Sequence, residues 1–330
     1  MGTEKTLPVA IVGLGPIGRE VAKAVLDSPE LELVAAIEVD PQLLGQPLTE
    51  ILGRSAGDLR IEEESPKVLA RAAGGVLLQL TGSRLPTVIV QIERAVALGL
   101  NVISSCEELA FPWLNHPELA DRLERIAKKA ELSILGTGVN PGFVLDRLIC
   151  TLGAVSGKIS RVTAERVVDA GSRREQLQRK VGAGLSREQF ERGVQSGKIG
   201  HVGLVESAAL VSAGLGLGCE EFEESIDPFM ATRSTTGAVA IAVGRVAGSV
   251  QVARGFAGGR EVVTLSVTIA VGAPDPHDLI QIVGDPPLEL RSNGGIAGDR
   301  ATAWNIVNCI PALVTAEPGL VTVLDLPAGR

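Results

Sequence analysis

The sequence predicts an α/β protein: a doubly wound parallel sheet, then a smaller α+β domain with a mostly antiparallel sheet. Three observations carry this. Pro8 to Arg19 reads as a buried strand, a glycine-rich turn and a helix start. Apolar runs then alternate with helix-patterned stretches as far as Gly142, as in a parallel sheet with crossover helices. From Lys158 onward the pattern becomes that of strands with one open face.

Val9 to Val12 is β-branched at three of four positions, which suits a strand buried on both faces. Gly13, Gly15 and Gly18 follow in G-x-G-x-x-G spacing, with Pro16 and Ile17 between the last two. Val21, Ala22, Val25 and Leu26 then recur at helical intervals. Gly13 permits the turn, Gly15 lets backbone approach a pyrophosphate, and Gly18 lets helix and strand pack closely. A second run, Leu31 to Ile37, ends at Glu38, 20 residues beyond Gly18. A carboxylate there accepts hydrogen bonds from a ribose 2′-hydroxyl and repels a 2′-phosphate. The cofactor expected is therefore NAD, with NADP as the alternative and Asp40 as the reserve acid.

Glu50 to Arg54 reads as a helical turn and Leu59 to Glu64 as a polar connection. Val76 to Leu80 is a third strand, ending at Thr81, Gly82 and Ser83. Thr87 to Leu98 is helical, closed by Gly99. Leu100 to Ile103 is a fourth strand, followed by Ser104-Ser105-Cys106-Glu107-Glu108. Pro117 to Ala130 is a charged helix. Leu132 to Leu135 is a fifth strand, running into Gly136-Thr137-Gly138-Val139-Asn140-Pro141-Gly142. In the second domain Lys158 to Val168 alternates as a strand, and Ser186 to Gln195 reads as a helix capped by Ser186. Val205 to Leu215 is an apolar helix, and Ile226 to Val271 is rich in strand patterns. Asp299 to Val314 is a final helix with Asp299 as its cap and Pro311 bending its end. Gly319 to Pro327 is extended.

Composition narrows the function. The 330 residues are 45% hydrophobic, enough for two cores. Net charge is −8 with the signs interspersed, so no basic tract attracts nucleic acid or a lipid surface. No apolar run approaches a membrane span, and the glycines interrupt the one apolar run near the N-terminus, so no signal peptide is read. Cys106, Cys150, Cys219 and Cys309 lie far apart, as reduced cysteines of a cytoplasmic protein do. No residues have metal-ligand spacing. Tyrosine is absent, which removes a tyrosine acid or base.

Ligands bind beyond the carboxyl ends of the strands in such a sheet. Thr81 to Ser83, Ser104 to Glu108 and Gly136 to Gly142 all fall there. Glu107 and Glu108 have two readings. Ser105 with Glu108, or Ser104 with Glu107, has capping-box spacing, which makes these carboxylates helix-start residues. Alternatively one caps while the other projects into the site as a proton acceptor. Asn140 is a candidate both to cap a helix beginning at Pro141 and to hold the nicotinamide amide. His201 precedes a helix, where a lone histidine is more often structural than catalytic. His116 and His277 stand beside prolines in expected surface loops.

These motifs resemble the 2,4-diaminopentanoate dehydrogenases and the related native amine dehydrogenases. The resemblance lies in Gly13 to Gly18, Ser104 to Leu109 with Pro112-Trp113, Gly136 to Phe143 and Gly200 to Ser207. Near the C-terminus it lies in Gly294 to Asp299 and Asn308 to Pro311. It implies a dihydrodipicolinate reductase-like fold: a Rossmann domain over residues 1–145, an α+β substrate and dimerisation domain over 146–297, and a C-terminal helix and tail, 298–330, returning to the first. It implies reversible oxidative deamination of a small amine or diamine to a ketone and ammonia by a cytoplasmic homodimer. It places the catalytic glutamate at Glu107, with Glu108 as alternate, and adds Cys106 and Asn140 to the cofactor site. Substrate contacts fall to Phe143, His201 and Trp304, with Phe111 and Trp113 as further aromatics. The tyrosines common in such pockets are missing. So is the histidine-pair and lysine motif of true dihydrodipicolinate reductases, which argues against that activity.

Overall fold

The computed structural model describes residues 6–171, 175–235 and 238–328. These form two compact units: one from residues up to Phe143 together with those from Ala297 onward, the other from Val144–Ile296.

The first unit begins β1 (Leu7–Val12), α1 (Pro16–Leu26), β2 (Leu31–Ile37), α2 (Leu48–Leu52), β3 (Ile61–Glu62) and α3 (Pro66–Leu69). It continues β4 (Val76–Gln79), α4 (Leu85–Ala97), β5 (Asn101–Ser104), α5 (Pro117–Ala130) and β6 (Ser133–Gly136). β4, β5 and β6 are buried along their whole length, because α-helices cover both faces of a parallel sheet. The sheet has seven strands in the order β13-β6-β5-β4-β1-β2-β3, where β13 is Gly319–Val321. All its pairings are parallel. The chain winds one way from β1 to β3 and the other way from β4, so the switch point lies between β1 and β4.

Five of these strands match the apolar runs. β3 and β13 do not: two and three residues long, they join the sheet through register with a neighbour rather than through an apolar run of their own. One apolar face of the sheet packs Ala10, Leu77 and Val102 against Val88, Ile92 and Leu123 of the crossover helices.

The second unit runs α6 (Arg147–Gly153), β7 (Gly157–Asp169), α7 (Glu175–Lys180), α8 (Arg187–Gln195) and α9 (Leu204–Leu215). Then come β8 (Glu221–Met230), β9 (Val246–Ala257), β10 (Arg260–Ala270), β11 (His277–Asp285) and β12 (Leu288–Asn293). Its six-stranded sheet has the order β12-β11-β7-β10-β9-β8, antiparallel except where β10 meets β7. Val162, Ala164, Leu265 and Ala253 alternate inward, and α9 covers β8, β9 and β10. Ser186 caps α8 in a capping box with Gln189. Asp278 accepts two hydrogen bonds from Arg166 Nη1, at 2.9 and 3.1 Å, and one from the Ile296 amide at 2.7 Å. The pair is buried, so the chain leaving the unit past Gly294 and Gly295 is fixed by a charge that would be costly to leave alone.

Two expected boundaries and one expected exposure change. The turn after β6 does not become a helix at Pro141: residues 140–146 are turns, and α6 starts at Arg147, capped by Asp146 Oδ1. The final helix, α10 (Gly298–Leu313), has Ala297 at its N-cap, which moves Asp299 into the first turn, where an acid still favours the dipole. His277 is buried at the start of β11, its Nε2 2.9 Å from Glu165, rather than in a surface loop. Among the described residues no helix is long and apolar enough to cross a membrane, and no group of side chains could hold a metal ion.

Candidate functional site

The carboxyl ends of β1, β2, β4, β5 and β6 bring most of the expected residues to one edge of the first sheet. At β1 the backbone dictates the glycines. Gly13 has φ +96°, and a Cβ there would lie 2.6 Å from the Leu80 carbonyl oxygen. A Cβ on Gly18 would lie 1.9 Å from the Gly13 carbonyl oxygen, so α1 could not pack against the turn. Gly15 differs: it is exposed, and a Cβ there would meet nothing within 4 Å. It is the N-cap of α1 and offers no side chain to the first-turn amides. Open space in front of a helix N-terminus is what a pyrophosphate requires.

Glu38 is half-buried at the end of β2 and turned to this loop. Its Oε2 accepts the Leu14 amide at 2.7 Å and its Oε1 the Val39 amide at 2.7 Å. Beyond β4, Thr81 is exposed and Gly82 and Ser83 are half-buried. Gln79, fully buried, donates to Thr81 Oγ1 and to Gln91 Oε1, and accepts from Ser104 Oγ. The loops after β4 and β5 are thus joined beneath the surface.

The two glutamates separate cleanly. Residues 107–110 form one turn of 3₁₀ helix rather than an α-helix, with both acids in it; Cys106, not Ser104 or Ser105, is its N-cap, and no side chain caps it. The Ser105 amide donates to the Gln79 carbonyl instead. Glu108 is buried, and both its oxygens are occupied. Oε1 accepts Arg84 Nη1 at 2.7 Å, while Oε2 accepts the Leu85 amide at 2.8 Å and lies 2.8 Å from His116 Nε2. It therefore stabilises the N-terminus of α4 rather than its own turn. His116, expected on the surface, is half-buried as its partner. Cys106 is fully buried in the core, where burial pushes its thiol up to about 12. Its amide donates to Ser104 Oγ at 2.9 Å, so it is a packing residue beneath the site rather than a surface of it. Glu107, half-buried between these two anchored neighbours, is the acid of this stretch with a face toward solvent.

After β6, the loop is held from the far end of the chain. Val139 N donates to Thr302 Oγ1 at 3.1 Å, and Asn305 Nδ2 donates to Thr137 Oγ1 at 2.8 Å and to the Gly138 carbonyl at 2.7 Å. Thr302 and Asn305 are not among the residues that local pattern singles out; their spacing, two polar residues three apart on one helix, is the signal that points to a shared face. Asn140 stands in this loop, and Phe143 and Trp304 are half-buried in the same unit. Phe111 and Trp113 meet edge to face at 5.4 Å, and Trp113 packs on the core. His201 lies in the second unit, where its amide and carbonyl are both bonded to Gln251, at 2.7 and 2.6 Å. It lines a cavity of about 30 Å³ there with Leu177, Gly200, Ser249, Gln251 and Val267.

A glycine turn at a switch point, facing an acid at the end of β2, defines a dinucleotide-dependent oxidoreductase, and residues 7–104 match the dihydrodipicolinate reductase N-terminus family. Residues 143–330 match the 2,4-diaminopentanoate dehydrogenase C-terminal domain family, and the chain belongs to it. It is 29% identical to a 2,4-diaminopentanoate dehydrogenase of Acetoanaerobium sticklandii, over 98% of this chain and 94% of that one. It is 24% identical to an amine dehydrogenase of Streptomyces virginiae, over 97% and 96% of the two chains. The fold matches a solved amine dehydrogenase from Mycobacterium smegmatis with a TM-score of 0.86 at 24% identity, covering 100% of this chain and 98% of that one.

Proposed function

We propose that this protein is an NAD-preferring amine dehydrogenase that interconverts a small amine or diamine with a ketone and ammonia, with Glu107 as its catalytic acid–base. The observation that carries the reading is the difference in exposure between neighbouring acids, Glu107 half-buried and Glu108 buried. Glu108 is consumed by Arg84, Leu85 and His116, while Glu107 stands on a pinned turn at the carboxyl end of β5. The dinucleotide, when bound, supplies or accepts the hydride. Gly13 to Gly18 with α1 would hold its pyrophosphate, Glu38 its ribose, and Thr81 to Ser83 and Asn140 the remainder. The Glu107 carboxylate would bind the ammonium or amine and exchange its proton. Phe143 and Trp304 offer the substrate aromatic rather than phenolic surface. The same reading takes the protein as a cytoplasmic homodimer.

The test is a panel of small ketones with NADH. Oxidation of NADH should require ketone and ammonia together. Turnover of a cyclic imine with no ammonia dependence would make the protein an imine reductase instead. NADH binding with no turnover across the panel would leave it a sensor.

The cofactor preference has its own test. Glu38→Gln removes the charge that repels a 2′-phosphate while keeping a donor and acceptor. NADPH affinity should rise relative to NADH by roughly tenfold, about 1.4 kcal/mol, measured by fluorescence titration. An unchanged ratio would show that the acid serves only the Leu14 and Val39 amides.

A further inference from the structure

Every side-chain partner of Glu108 lies off its own turn. Arg84 and Leu85 belong to the segment that carries Thr81 to Ser83 into α4, and His116 precedes α5. The Glu108 amide donates in turn to the Ser83 carbonyl at 3.3 Å. On the other side of Glu107, the Cys106 amide is fixed by Ser104 Oγ, which is fixed by Gln79, which is fixed by Thr81. Glu107 is therefore the middle residue of three, and both flanking residues are tied to the loop after β4. A carboxylate that is 4% exposed and meets three donors from two other segments is more than a local cap would need.

We propose that Glu108 is a positioning residue: it fastens the turn bearing Glu107 to the cofactor-side loop after β4, and so fixes where the Glu107 carboxylate stands. This rests on the assignment of Glu107 above. Its role would lie in the rate of the chemical step and not in ketone binding, because an acid–base displaced by even about 1 Å loses rate steeply.

The experiment is a double-mutant cycle on the full-length protein, read as kcat and ketone KM with NADH and ammonia. Glu108→Gln keeps an acceptor for the Leu85 amide and removes the charge facing Arg84 and His116. Its kcat should fall roughly tenfold or more while ketone KM stays within about twofold. In the Glu107→Gln background the same change should lower the residual rate no further, since nothing remains to be positioned. An equal fall in both backgrounds, or a kcat within about twofold of the parent, overturns the proposal. If Glu108→Gln does not fold, His116→Gln replaces it: its kcat should fall about threefold or more only where Glu107 is intact, and equal effects overturn the proposal. Full turnover in Glu107→Gln alone would instead overturn the Glu107 assignment, so the two failures are distinct.

Discussion

Glu107→Gln should lower ketone- and ammonia-dependent NADH oxidation by about 10²–10⁴-fold. Glutamine keeps the size and hydrogen-bonding reach of glutamate but cannot carry the proton exchanged with ammonium. The turn should survive the change. Cys106 is held through Ser104 and buried in the core, and Glu108 through Arg84, Leu85 and His116. NADH affinity, followed by fluorescence, should stay within about twofold, which separates lost chemistry from lost folding. Turnover equal to the parent would remove the acid–base role from this stretch, because Glu108 is buried and held by Arg84, Leu85 and His116.

The second large effect contrasts two glycines three residues apart. Gly18→Ala sets a methyl 1.9 Å from the Gly13 carbonyl oxygen, a backbone atom that cannot swing aside. Either α1 or the turn must shift, at roughly 1–3 kcal/mol or more, and dinucleotide binding should be lost with the turn's geometry. Gly15→Ala meets no atom within 4 Å and has an ordinary φ of −61°, so thermal stability should barely change. NADH affinity should nonetheless fall roughly tenfold, because the methyl stands where the pyrophosphate approaches. Thermal denaturation and NADH titration of both variants check this. Unimpaired NADH binding by Gly15→Ala would mean that the open space in front of α1 is not the phosphate site.

What could be read from the sequence was whatever depends on near neighbours. The run Val9 to Val12, the three glycines and Glu38 fall within one strand-turn-helix-strand unit, and periodicity resolves them. The capping of α8 by Ser186 was equally local. What could not be read depends on distant partners. Spacing alone left Glu107 and Glu108 equivalent; Arg84 and His116, 24 and 8 residues away, distinguish them. β11 and β12 went unseen because their exposed faces carry Gln281, Glu289 and Arg291, which break the apolar pattern. Pro141 was a misleading start signal: the turn it sits in is set by Thr302 and Asn305, which belong to a helix late in the chain.

That last connection orders events at the ribosome. The amide of Val139 and the hydroxyl that receives it are 163 residues apart, and the whole of the second unit is translated between them. At about 5–20 residues per second, the segment after β6 waits on the order of ten seconds for its anchors. β13 reaches the edge of β6 later still. A nascent chain therefore has its glycine turn early but lacks the anchors of the Thr137 to Gly142 segment until Thr302 and Asn305 have been made.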